Sequence, residues 1–163
     1  MDRETLKRRL VEEEGKRLFA YRDHLGHLTV GVGLNLDEGH ATTLLQWVGA
    51  DPAAVRAGAP LTNDQIDRLL DRCVTEVEEV LRANVAGWNG LPEDAQLVLS
   101  DMTFQMGWPR VRDFRKTLAA VERGDFETAA DEMLDSTWAK DQTPRRAEAL
   151  AELMRGCARE EKA

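Results

Sequence analysis

Three residue types near the N-terminus could together hydrolyse a glycosidic bond: Glu14, Asp23 and Thr29. The reaction needs a carboxylic acid to protonate the leaving oxygen. It also needs a carboxylate to stabilise an oxocarbenium-like transition state or to activate water. A hydroxyl can help hold that water. Spacing alone leaves other readings open. Glu12-Glu13-Glu14 is also an acidic run of the kind that forms a solvated helix face. Asp23 suits a turn, and Thr29 suits a strand.

The neighbouring pattern says how these residues are held. Leu6, Leu10 and Val11 recur at helical spacing, Asp2 is placed to cap, and Gly15 offers a stop. Glu14 is therefore expected at the C-terminal end of a helix, where the partial negative charge of the helix disfavours its ionisation. Leu18 to Arg22 reads as a strand, Asp23-His24-Leu25-Gly26 as a turn, and Leu28 to Gly33 as a returning strand. Strict alternation puts Leu28, Val30 and Val32 on one face. Thr29, Gly31 and Gly33 share the other, an open floor that another group approaches closely. Asp23 in an open turn should stay ionised, so the two carboxylates would differ in acidity and could divide the acid and base roles.

The rest of the chain reads as helices. A short one is expected around Leu44, Leu45 and Val48, followed by a loop from Gly49 to Pro60. The longest is capped at Thr62 or Asn63 and ends near Asn84, a length of roughly 33 Å. Its buried stripe is Ile66, Leu69, Leu70, Cys73, Val77, Val80 and Leu81. Further helices are expected from Pro92-Glu93 to about Gln105, from Asp113 to Glu122, from Asp125 to Leu134, and from Pro144 after a Thr143 cap. The tail from Arg159 to Ala163 is expected to fray. Trp138 is expected in the core and Trp108 at the surface.

Composition narrows the function. The net charge of −8 disfavours nucleic acid, which needs a basic patch. No run approaches the apolar length that a membrane span requires. Met1 to Gly15 has no apolar run of signal-peptide type, so delivery to a target outside the cytoplasm would fall to another agent. Cys73 and Cys157 are too far apart and too few to form a disulfide framework, and read as small core residues. His24, His27 and His40 complete no familiar ligand motif. No metal or cofactor is expected.

Three blocks, in order, carry a family resemblance. The first runs Glu14-Gly15, Tyr21-Arg22-Asp23, Gly26, then Thr29-Val30-Gly31-Val32-Gly33. The second is Phe104-Gln105-Met106-Gly107 followed by Phe114. The third is Trp138, then Gln142-Thr143-Pro144 and Arg146-Ala147. Together they resemble the phage-type lysozymes of glycoside hydrolase family 24, over nearly the whole chain.

The resemblance implies an α+β, mostly helical fold in one domain, 1–163. A small β-hairpin lobe (about 15–60) would be joined by a linking helix (62–84) to a C-terminal helical lobe (about 85–163), with the cleft between them. It implies a monomer that hydrolyses the β-1,4 bond between N-acetylmuramic acid and N-acetylglucosamine, with inversion. Glu14 would be the general acid, and Asp23 and Thr29 would position the water. Phe104, Asn35, Thr117 and Glu132 would lie along the sugar-binding cleft. Arg146 would lie close to Glu14, where its charge would favour the ionised carboxylate. As a lytic phage enzyme the protein would wait in the host cytoplasm until released to the wall; a virion-associated enzyme or a secreted antibacterial effector fits the sequence as well. A non-catalytic wall-binding or scaffold module, or a lytic transglycosylase, are the other classes compatible with such a fold.

Overall fold

Asp2 starts the first helix. Its carboxylate accepts the backbone N–H of Glu4 at 3.0 Å and of Thr5 at 3.3 Å, satisfying donors that have no partner within the helix. Helix α1 then runs Arg3–Glu14. It stops because Gly15 takes φ +76°, a conformation that terminates helices and favours glycine. The computed structural model describes residues 1–160. These fall into two compact units: Lys7–Val74, and Met1–Leu6 together with the chain from Thr75 onward.

Lys7–Val74 holds the only sheet among the described residues. Strands β1 (Arg17–Arg22), β2 (Leu28–Gly31) and β3 (Leu34–Asn35) pair antiparallel in that order. Tyr21 stands opposite Thr29, and Thr29 opposite Asn35. The expected strand over Leu28 to Gly33 is therefore shorter than its alternation suggested. Gly31, the last residue of β2, and Gly33 adopt φ +65° and +68°, so the chain leaves the extended conformation there and turns through Val32 into a third strand. The face carrying Thr29 and Gly31 is also covered, with Thr29 only 4% exposed. A Cβ on Gly31 would lie 3.5 Å from the Ile66 side chain.

Helices α2 (Gly39–Trp47), α3 (Pro52–Arg56) and α4 (Asn63–Asn84) follow. The loop expected over Gly49 to Pro60 contains α3, nucleated by Asp51 capping Ala53 N–H at 3.0 Å and by Pro52 at the first position. Thr62 and Gln65 cap α4 reciprocally. Gln65 N–H donates to the Thr62 hydroxyl at 3.1 Å, and Thr62 N–H donates to the Gln65 side chain at 2.9 Å.

The unit containing Thr75 onward is helical. It comprises α5 (Glu93–Met106), α6 (Trp108–Val111), α7 (Arg115–Glu122), α8 (Phe126–Leu134) and α9 (Pro144–Glu160), with one wide π-type turn at Trp138–Gln142. Helix α5 is buried on every side from Ala95 to Thr103, as a central core helix is. Its Val98, Leu99 and Met102 form one core with Phe126, Met133 and Leu150. Trp138 is buried, as expected. Trp108 is half-buried against this core, and the exposed tryptophan is Trp47. The Arg68 guanidinium covers the Trp47 ring at 5.0 Å. The expected fraying of the tail does not begin at Arg159, which is still helical; residues 161–163 lie outside the described residues.

Candidate active site

Glu14 closes α1, and its carboxyl lies against the turn between β2 and β3. A Cβ added to Gly33 would sit 3.0 Å from Glu14 Oε2 and 3.3 Å from Cδ. Only a glycine leaves this room, and only a glycine takes φ +68° there without strain. The close approach expected on a glycine floor is thus found at Gly33, and the approaching group is the candidate acid itself.

Asp23 occupies the turn between β1 and β2. One carboxylate oxygen accepts both the Leu25 and the His27 backbone N–H, each at 2.9 Å. Desolvation would raise its pKa, but the two amide donors, aided by the nearby His27 and His24, outweigh it and hold the carboxyl below the usual carboxylate range. Thr29 is tied to the same peptide. Its hydroxyl donates to the His27 carbonyl at 3.0 Å, and Asp23 N–H donates to that carbonyl at 3.0 Å. His27 therefore joins the two groups through its backbone, a link that residue types did not reveal. Its imidazole Nδ1 stands 3.5 Å from Asp37.

Tyr21, opposite Thr29, lies within electrostatic reach of both candidate carboxylates. Burial raises its phenol pKa first, Arg17 lowers it, and Glu14 and Asp23 raise it further. The Arg17 guanidinium stacks 4.4 Å over the ring. Asn35 is half-buried on β3, and its side-chain oxygen accepts Asp37 N–H at 2.9 Å.

The remaining candidates belong to the helical unit. Phe104 is half-buried near the end of α5. Its neighbour Gln105 accepts the Trp138 indole N–H at 3.0 Å and donates to the Thr143 hydroxyl at 3.4 Å. That side chain ties the second sequence block to the third. Thr117 is buried on α7 at 1% exposure, and Glu132 on α8 is half-buried, 3.9 Å from Lys116. Arg146 is buried at 6%, and its Nε donates to Asp101 at 2.8 Å. Asp101, itself fully buried, was missed by sequence reasoning. Its signal was a lone acid inside the apolar run Leu97–Thr103. Among the described residues no group of three His, Cys, Asp or Glu could hold a metal ion.

The phage lysozyme family model matches residues 11–159, a span that holds every one of these side chains. The chain belongs to the phage lysozyme family. Family membership fits the arrangement of an acid, a depressed carboxylate and a hydroxyl around one small sheet. The chain is 28% identical over 152 residues to a probable T4-type lysozyme 2 of Dictyostelium discoideum, covering 87% of this chain and 88% of that one. It is 32% identical over 149 residues to a peptidoglycan hydrolase gp36 of Pseudomonas phage phiKMV, covering 91% of this chain but 15% of that protein. It is also 26% identical over 137 residues to the pre-baseplate central spike protein Gp5 of Enterobacteria phage T4, covering 79% of this chain and 24% of that one.

Proposed function

We propose that this chain is a muramidase, hydrolysing the β-1,4 bond between N-acetylmuramic acid and N-acetylglucosamine in peptidoglycan. The observation that carries the reading is the placement of the two carboxyl groups on one small sheet. That of Glu14 rests on the Gly33 backbone, while that of Asp23 is held ionised by two amides in a solvent-facing turn. Glu14 donates its proton to the glycosidic oxygen as the bond to the anomeric carbon breaks. Water forms the new bond to that carbon from the opposite face and gives its proton to Asp23, with inversion. The Thr29 hydroxyl spends its proton on the His27 carbonyl, so its lone pairs are left to accept from that water.

We assign substrate binding to Asn35, Phe104, Thr117 and Glu132, with Arg146 setting the local charge. A phage peptidoglycan hydrolase is among the relatives, and we extend the proposal to phage-mediated lysis, with the enzyme held in the host cytoplasm until it reaches the wall. Glu14→Gln keeps the shape of the side chain and removes the proton. It should lower the rate of turbidity loss of purified sacculi at least ~100-fold, with the unfolding midpoint retained. Full activity in a folded Glu14→Gln protein would sink the assignment.

A further inference from the structure

The peptide that joins Asp23 to Thr29 lies where the sheet gives out. Arg22 and Leu28 are the last pair of the β1–β2 ladder before the turn, so His27 stands one residue beyond it. Three hydrogen bonds nevertheless converge on His27. Its carbonyl takes the Asp23 N–H and the Thr29 hydroxyl, and its own N–H goes to the Asp23 carboxylate. The position of this one residue's backbone therefore sets the spacing of the two groups that handle the water.

Asp37 grips that backbone from the segment between β3 and α2. One oxygen of its carboxylate, Oδ2, accepts the Leu28 N–H at 3.2 Å and stands 3.5 Å from the His27 imidazole Nδ1. The Leu28 carbonyl accepts the Leu36 N–H at 2.7 Å. The residue after His27 is thus held at both backbone groups, and His27 itself by its side chain. Asp37 is fixed in turn by its own N–H, which donates to the Asn35 side chain at 2.9 Å. The side chains of the pair are 48% and 51% exposed, so neither is there to fill a core. The other charged groups at this turn are Asp23, which feels the charge of both His24 and His27, and Arg22, whose guanidinium donates to the Gly26 carbonyl at 2.8 Å.

We propose that Asp37 and His27 form a positioning pair for the hydrolysis, clamping the backbone that holds Asp23 and Thr29, and clamping it tightest while the imidazole is protonated; the proposal rests on the muramidase assignment. A histidine changes charge between about pH 5 and 8. At the acid end of that window the imidazolium and the Asp37 carboxylate attract each other, and the His27 backbone is held from outside the turn. As pH rises the imidazole loses its proton and the attraction goes. Asp37 then keeps only its bond to the Leu28 N–H, and the spacing of Asp23 and Thr29 loosens. Neither member of the pair is assigned to substrate or to the reacting atoms, so the effect belongs in kcat and not in KM.

The test compares wild type with Asp37→Asn, His27→Gln and the double variant, on solubilised glycan at low salt. Asparagine keeps an acceptor for the Leu28 N–H and removes the charge. At the acid end of the window, about pH 5.5, kcat of each single variant should fall about fivefold, the most that an exposed ion pair supplies. KM should not change, and the double variant should be no worse than either single one. At about pH 8 all three should match wild type. Losses that are equal at both pH values, or that add in the double variant, would overturn the proposal. Amide hydrogen exchange reads the clamp without any substrate. Exchange of the Asp23 N–H, which is bonded to the His27 carbonyl, should quicken about fivefold in Asp37→Asn at the lower pH, and unchanged exchange there would overturn the proposal as well. Quickened exchange in a protein that cleaves no glycan would leave the clamp standing and count against the muramidase assignment instead.

Discussion

Gly33 joins two demands that only glycine meets, a left-handed backbone and a surface on which a carboxyl can rest. Gly33→Ala should displace the Glu14 carboxyl by a few tenths of an ångström or more. A small misplacement of a reacting group is costly, so kcat should fall by roughly a hundredfold while KM changes little. Steady-state kinetics on solubilised glycan would show it, and an unchanged kcat would mean that this contact does not position the acid. Glu14, Asp23 and Thr29 were legible as chemistry because residue type states what a side chain can donate or accept. The role of His27 was not, because it acts through its peptide and any residue but proline carries the same groups.

At the scale of elements, local signals translated directly. Asp2, Thr62 and Pro144 mark helix starts in the sequence because each acts on backbone within a turn of itself. Thr62→Ala should remove one half of the reciprocal cap on α4 and destabilise the protein by about 1 kcal/mol. Urea unfolding would measure this, and no change in midpoint would show that water replaces the hydroxyl without loss. Short elements were illegible. Strand β3 is two residues long, and α3 and α6 span five and four, too few for any periodicity to emerge. The alternation over Leu28 to Gly33 pointed to one strand because it counts side chains and is blind to the positive φ of the glycines between them.

Across the whole molecule, the contacts that matter most join residues far apart in the chain. Asp101 and Arg146 are 45 residues apart and both buried. A lone acid in an apolar run marks Asp101, and a sequence block marks Arg146, but neither segment says that the other is its partner. Arg146→Ala would strand a buried carboxylate and should cost about 3–5 kcal/mol. Replacing both partners with apolar residues should recover much of that loss, and denaturant titration of the single and double variants would check it. The α+β class, by contrast, was legible, since strand patterning is confined to the first part of the chain and helical patterning fills the rest.

The chemistry proposed for the whole molecule is tested most directly by mass spectrometry of the fragments that it releases from purified sacculi. A water-using muramidase yields fragments ending in a reducing N-acetylmuramic acid, and that is the expected result. Anhydro ends would show cleavage without water and contradict the roles given to Asp23 and Thr29, while binding with no release would contradict catalysis altogether.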